Sequence, residues 1–428
     1  MALKKIKNIT VEMSLSSNAE KNLMINADRL WASLMELAKI GPGVAGGNNR
    51  QTLTDEDGEA RDLLKSWCDQ AGLTTTIDAM GSMFAERAGE DPDALPVLIG
   101  SHLDTQPTGG KYDGTLGVLA GLEVIRTLND LNIKTKHPIQ LVNWTNEEGC
   151  RFSPSMLASG VFAGVYEQSW AYDRTDDKGL KFGDELKRIG WLGDQPVGHI
   201  KPHAYFELHI EQGPVLENES LDIGVVTGAQ GQITMDVTLQ GVAGHAGTVP
   251  MRLRADALAC ASEIISQCRS ILLKKEDGVM TVGTMDVEPN SRSTIPSKVV
   301  FGMDIRNPHS ESLEQLKNQF TEAISSISQK HHCTNNVEIR SFKPPTEFDD
   351  SCIEVIESAA KKLQYGYKRM PSGAFHDACM VNEIIPTGMI FTPCLNGVSH
   401  HPSEYASQEQ LFKGANTLLH SLSELCRK

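Results

Sequence analysis

Apolar and polar positions along this chain follow a helical rhythm in some stretches and a strand rhythm in others. Leu30, Leu34 and Leu37 recur at helical spacing behind Asn26, which predicts an amphipathic helix over 25–37. Thr54 opens a second helix, with Asp55, Glu56 and Asp57 in the first turn, where the helix dipole favours negative charge. It runs through Leu63, Leu64 and Trp67 to Gly72. Weak alternation over 73–77 and 83–87 predicts two strands around a turn at 79–82. Val97, Leu98 and Ile99 form a short continuous apolar run, as a buried parallel strand does, and a Gly- and Pro-rich loop then leads to a helical segment at 115–128. Further strands are expected at 139–145 (IQLVNWT) and 205–210 (YFELHI).

Beyond Leu221 the order of elements changes. Strand 231–240, helix 254–273, strands 279–287 and 299–306, helix 310–328 and strand 336–342 follow one another. That is the split βαβ arrangement of ferredoxin-like domains. From Cys352 an α/β pattern resumes: a helix to Leu363, a loop at 371–377, a strand at 384–391, a loop holding His400 and His401, and a last helix at 407–426. The expected fold is α/β, with a mixed, mostly parallel sheet flanked by helices and an inserted α+β ferredoxin-like domain. The larger domain would consist of 1–221 and 341–428, and the insertion of 222–340. A chain of 428 residues is long enough for two such cores.

Composition narrows the class. With 40% hydrophobic and 22% charged residues the chain reads as a soluble globular protein. A net charge of −15 argues against a nucleic-acid partner, which needs a basic stripe. No apolar run reaches the length of a membrane span, so no membrane association is expected. Residues 1–20 lack the apolar core of a secretory signal and are expected to be partly disordered. Nine scattered cysteines without a CxxC pair fit free thiols in a reducing compartment, and a cytoplasmic location is expected.

The candidate chemistry lies at strand ends. His102 and Asp104 follow the first buried run, with Asp113 a short loop later. Glu147 and Glu148 follow the strand at 139–145, and His209 lies near the end of the strand at 205–210, just before Gln212. In an open α/β sheet the C-terminal edge of the strands is where sites assemble. Any one of these residues, alone, is more simply a solvated loop side chain. Together, His102, Asp113, Glu148, His209 and either His400 or His401 suit two divalent ions that share one carboxylate. Glu147 is then a spare carboxylate that could face water between the metals. Such a pair lowers the pKa of water and polarises a carbonyl, which amide hydrolysis needs.

The motifs GSHLDT, YDG, NEEG, ELHIEQGPVLE, GVAGHAG, DIR at 304–306 and SHHPSE resemble those of the M20 metallopeptidase-type family. Within it they are most similar to the N-carbamoyl-L-amino-acid amidohydrolase branch, which includes β-ureidopropionases and allantoate amidohydrolases. The resemblance covers nearly the whole chain after the first twenty-odd residues. It implies a catalytic domain carrying an inserted lid and dimerisation domain. It also implies two divalent ions, zinc or manganese, with cobalt or nickel tolerated by the same ligands. His102, Asp113 (bridging), Glu148, His209 and His400 would bind them, His400 matching the family's ligand as the first histidine of SHHPSE. Glu147 would be the general base on the bridging water, and the Asp104 carboxylate would hydrogen-bond the far nitrogen of His102. Gln212 and His245 would hold the ureido group of the substrate. His245 would reach the active site of the partner in a homodimer and stabilise the oxyanion. Arg306 would clamp the substrate carboxylate, and Asn290, Gly373 and Ala374 would line the pocket.

Two positions depart from the family pattern. Ser293, in PNSRSTIP, stands where an asparagine contacts the substrate carboxylate, a contact that Asn290 or Arg292 would have to take over. Phe375, in SGAFHDA, stands where a glycine lets the backbone approach the substrate. Both bear on substrate identity and leave the metal chemistry untouched. The expected reaction is hydrolysis of an N-carbamoyl-L-amino acid to the amino acid, carbon dioxide and ammonia. Allantoate or β-ureidopropionate hydrolysis is the near alternative, dipeptide or acylamino-acid hydrolysis a further one, and a metal-binding protein without turnover the last. Plainer readings exist for several residues: His245 as a turn residue, Arg306 as a solvated side chain, and His376 and Asp377 as structural. Cys150 is expected to be a small buried residue rather than a nucleophile.

Overall fold

The computed structural model describes residues 23–275 and 277–426; the segment expected to be partly disordered falls outside them. In chain order the elements begin with α1 (Ala27–Leu37), α2 (Asp55–Gln70), β1 (Thr74–Ile77), β2 (Met83–Arg87) and β3 (Val97–His102). There follow α3 (Thr115–Asp130), β4 (Ile139–Trp144), α4 (Leu157–Phe162), α5 (Gln168–Tyr172) and α6 (Phe182–Arg188). Next come β5 (Ala204–Ile210), α7 (Val215–Asn218), β6 (Ile223–Ala229), β7 (Gly231–Gln240), β8 (Gly244–His245) and α8 (Ala257–Leu272). They continue with β9 (Val279–Glu288), β10 (Thr294–Ile295), β11 (Lys298–Asn307), α9 (Ser310–Lys330), β12 (Thr334–Lys343) and β13 (Thr346–Glu347). The last are α10 (Asp350–Lys362), β14 (Tyr367–Ser372), α11 (Asp377–Val381), β15 (Thr387–Thr392) and α12 (Gln408–Leu425).

These elements form two compact units. Among the described residues the larger comprises 23–227, 348–370 and 375–426, and the smaller lies within 228–347 with 371–374. The changeovers come several residues later than periodicity placed them. Asp222 directly precedes β6, which pairs with β15 of the large sheet, and Arg340 lies inside β12. Strand patterning simply continues through both places. The short helices α4 to α6, the strand β6 and most of β14 were not expected from the pattern.

In the larger unit the strand order is β1-β2-β4-β3-β5-β15-β6. The neighbours β4, β3, β5 and β15 run parallel, and the flanking pairs are antiparallel. Every residue of β3, β4 and β5 is buried, so these strands do not alternate between a core and a solvent face, and their polar members Ser101, Gln140, Asn143 and Glu207 are buried with the rest. Helix α3 is buried nearly all round, from Thr115 to Leu128. Its buried acid, Glu123, is paired with Arg29 at 2.7 Å. Caps agree with the sequence: Asn26 accepts from Arg29 N, Thr54 from Asp57 N, and Ser407 forms a capping box with Gln410.

The smaller unit is an antiparallel sheet, β12-β7-β11-β9, with α8 and α9 on one face. Ile233, Met235, Val237 and Leu239 of β7 alternate inward and meet Phe301 of β11, Ile264 of α8 and Phe320 of α9. No helix among the described residues is long and apolar enough to cross a membrane. All nine cysteines are free.

Candidate metal centre

Four parallel strands deliver the ligand-type residues of the larger unit to one edge. His102 is the last residue of β3, the Glu147–Glu148 turn follows β4, and His209 lies in β5. The fourth is β15, whose C-terminal loop carries His400. Three of these loops hold a non-glycine residue in the left-handed region: Asn146 (φ 64°), Gln212 (φ 56°) and His400 (φ 56°). Such strain collects at sites that the surrounding structure over-determines. Gly114, at φ 62°, has no alternative, because a Cβ there would lie 2.3 Å from the His102 ring.

Asp113 is the centre of the arrangement. Its Oδ1 lies 3.0 Å from His209 Nε2 and 3.6 Å from His102 Nε2. Its Oδ2 lies 3.2 Å from His400 Nε2, which is itself 3.6 Å from Glu148 Oε2. Two donor sets result, His102-Asp113-His209 and Asp113-Glu148-His400, the atoms of each within 4.8 Å of one another. One carboxylate thus turns one oxygen to each set. His401, by contrast, points to Ser403 Oγ at 2.7 Å and is not part of the cluster.

Backbone carbonyls fix both buried imidazoles. His102 Nδ1–H donates to the carbonyl of Asp104 at 2.9 Å, and His209 Nδ1–H to that of Ile210 at 2.8 Å, which leaves each Nε2 facing Asp113. The expectation for Asp104 therefore needs correction, since its main chain and not its carboxylate orients His102. The carboxylate lies 3.7 Å from Nδ1 and is engaged elsewhere. It accepts from the amides of Glu147 (3.3 Å) and Glu148 (3.2 Å) and so shapes the turn that carries both glutamates.

Further residues brace the cluster. Gln106 donates to both oxygens of Glu148, from its amide at 3.1 Å and its side chain at 2.6 Å. Ser399 Oγ lies 3.0 Å from Asp113 Oδ2 and 3.0 Å from Glu404 Oε2, and Glu404 Oε1 accepts from the amides of Tyr112 and Asp113. Arg50, fully buried, donates to the carbonyls of Leu103 and Ile40 and to Thr115, and so ties β3's exit to the start of α3. Sequence reasoning missed Ser399 and Glu404 although both lie in SHHPSE.

The electrostatics describe a site short of positive charge. Burial pushes Glu147 well above the usual carboxylate range, as do the charges of Asp377, Glu148 and Asp113. Glu148 is raised by burial and by Asp113 and Asp104. Burial also opposes ionisation of Asp113, but the hydrogen bonds from His209 and His400 outweigh it and hold this carboxylate well below its ordinary value. His209 is burdened by burial, yet Asp113 lifts it to about 9, whereas burial drops His102 to about 4. Without a cation the cluster is balanced by protons, and His/Asp/Glu donors in this state fit divalent ions that displace those protons.

Glu147 binds neither donor set. Its Oε2 lies 3.6 Å from His102 Nε2, on the rim of the first. Gln212 Nε2 donates to Asp113 Oδ2 at 2.8 Å and contacts Ser399 Oγ at 3.1 Å, while its Oε1 is buried without a partner. Cys150, expected to be buried, is exposed. Its thiol is pushed up to about 12 by the desolvation of its surroundings and by Asp104 and Glu148, which argues against a nucleophile.

The remaining candidates belong to the smaller unit. Arg306, on β11, makes a two-pronged pair with Asp304 (3.1 and 3.2 Å) and donates to the carbonyl of Gly373 at 2.8 Å. Gln232 donates to the same Asp304 at 2.6 Å. His245 is exposed on β8, which pairs with β10, and Ala246 N donates to the carbonyl of Ser293. Asn290 is exposed in the loop leading to β10, and Ala374 accepts from Ser372 Oγ.

A family model described as Peptidase family M20/M25/M40 matches residues 98–424. An N-carbamoyl-L-amino-acid amidohydrolase of Rhizobium meliloti is 53% identical over 405 residues, 94% of this chain and 97% of that protein. A ureidoglycolate hydrolase of Arabidopsis thaliana is 34% identical over 426 residues, 96% of this chain and 89% of its own. Among solved structures, an amidase of the hydantoinase/carbamoylase family from Burkholderia multivorans superposes with a TM-score of 0.93. It is 46% identical and covers 95% of this chain and 99% of its own.

Proposed function

The chain belongs to peptidase family M20/M25/M40, and from that premise we propose that this hydrolase converts an N-carbamoyl-L-amino acid and water to the free amino acid, carbon dioxide and ammonia. The observation that supports this chemistry best is Asp113, whose two oxygens face two separate donor sets. His102, Asp113 and His209 would hold one divalent ion, and Asp113, Glu148 and His400 the other, zinc and manganese being the first candidates. Bound there, the pair would supply Lewis acidity toward the ureido carbonyl and toward water.

This chain's own residues supply the rest. Glu147, outside both donor sets and 3.6 Å from His102, takes a proton from the attacking water and delivers it to the leaving nitrogen. The partnerless Oε1 of Gln212 accepts an N–H of the ureido group. Arg306 offers a planar fork to the substrate carboxylate, in exchange for part of its pairing with Asp304. Asn290, Gly373 and Ala374 are the further substrate-binding candidates of the smaller unit, to which dimerisation is also assigned. In a homodimer, exposed His245 serves the partner's site as an oxyanion donor. Nine free thiols suit a cytoplasmic setting.

The test is ammonia release by metal-stripped protein reloaded with manganese or zinc. N-carbamoyl-L- and D-amino acids, N-carbamoyl-β-alanine, allantoate, ureidoglycolate, acetyl amino acids and dipeptides form the panel. Metal-dependent turnover of an N-carbamoyl-L-amino acid is expected. Turnover of ureidoglycolate or allantoate alone would favour the second reading, which the relative of Arabidopsis thaliana supports. Activity only on dipeptides would defeat both.

A further inference from the structure

Beneath the metal centre lies a buried polar chain that the proposed reaction does not use. It starts from the turn that carries Glu147. The carbonyls of Thr145, Asn146 and Glu147 accept, in order, the amides of Ala158, Leu157 and Met156, at 3.3, 3.1 and 2.7 Å. The opening turn of α4 therefore holds the backbone of Glu147. That helix has six residues, too few to be stable by itself. What fixes it is a side-chain bond: Ser159 Oγ donates to Asp377 Oδ1 at 2.5 Å.

Asp377 opens α11, a helix of five residues. The next residue, Ala378, donates its amide to Glu207 Oε2 at 2.9 Å. Glu207 lies on β5 two residues before His209, and its other oxygen accepts from Ser101 Oγ at 2.6 Å, the residue just before His102. Ser101, Glu207, Asp377 and Ser159 are all buried. The strand ends bearing His102 and His209 and the turn bearing Glu147 are thus joined by one hydrogen-bonded path. A buried path of this kind constrains geometry tightly, because any break leaves polar groups unsatisfied. The carboxylate of Asp377 also acts on Glu147 through its charge.

We propose that Asp377 is a positioning residue, which through Ser159 and helix α4 sets the place of the Glu147 carboxylate relative to the metal ligands. The inference rests on the reading of Glu147 as the base. Ordinary fold stabilisation would lower metal content, thermal stability and substrate affinity along with the rate. A positioning role affects the rate alone.

The experiment uses the metal-loaded enzyme and its best N-carbamoyl-L-amino acid. Asp377→Ala and the milder Ser159→Ala are expected to lower kcat by about 10- to 100-fold, as a base misplaced by an ångström or less does. KM should stay within about twofold and metal content unchanged. Asp377→Asn keeps an acceptor of the same length for Ser159 and should bring kcat back to within about threefold of wild type. The Ser159→Ala/Asp377→Ala double variant should be no slower than the worse single variant, since both act along one path. In a Glu147→Gln background, Asp377→Ala should change the residual rate no further. Wild-type kcat in both Asp377→Ala and Ser159→Ala, with Glu147→Gln inactive, would overturn the positioning role and leave the base intact. Loss of metal together with kcat, or additive losses in the double variant, would overturn it too. Full turnover in Glu147→Gln would instead remove the base assignment on which the inference stands.

Discussion

In the larger unit each ligand-type side chain at the sheet edge has further contacts that hold it. His102 and His209 are pinned by backbone carbonyls, Glu148 by Gln106, and Asp113 by Ser399 and Gln212. In the smaller unit His245 and Asn290 are exposed, Arg306 is braced by Asp304 and Gly373, and His245 accepts the amide of Gly247 two residues on, at 3.0 Å. The first region is arranged before anything binds. The second carries groups whose contacts are still open. The contrast follows from the folds: the parallel strands are buried on both faces and carry their ligand-type side chains at or just beyond the C-terminal edge, whereas a sheet covered on one face has polar residues along all of the other.

If the larger unit is the preorganised one, its variants should fail outright. Asp113→Asn removes the charge shared by both donor sets, and ammonia release should fall by at least about a thousandfold with loss of bound metal, as elemental analysis would read. Retention of both ions in this variant would break the bridging assignment. Glu147→Gln should keep the metals and lose roughly 10²- to 10⁴-fold in kcat; unchanged kcat would show that the proton goes elsewhere. In the smaller unit, Arg306→Lys should leave metal content alone. It should lower kcat/KM by about 10- to 100-fold for substrates bearing a carboxylate, because a lysine cannot present a planar fork. An equal effect on substrates without the carboxylate would sink the clamp. The smallest effect concerns Cys150. With its pKa raised to about 12, little thiolate exists at pH 8. Iodoacetamide should label it roughly a thousandfold more slowly than a free thiol in metal-free protein, and rapid labelling would contradict the raised thiol pKa.

Much of this was legible in the sequence because its signals are local. The helical spacing of Leu30, Leu34 and Leu37, the caps Asn26 and Thr54, and the alternation of β7 and β11 each depend on neighbours a few residues away. The short helices α4 to α6 carry too few residues for a periodic signal, and in β6 Gly224, Thr227 and Gly228 break up the apolar run that marks a buried strand.

By itself, the sequence determined the order of the longer elements, the presence of two kinds of layer and the supply of His, Asp and Glu at successive strand ends. The tertiary structure alone decided how those residues are paired. It gave the orientation of His102 to the Asp104 carbonyl and brought Ser399 to Asp113 across 286 residues of chain. It likewise set Ser159 against Asp377 across 218 residues. Periodicity reports which face of an element is buried. Which residues meet beneath a common edge is fixed by strand order and register, and no local pattern contains that information.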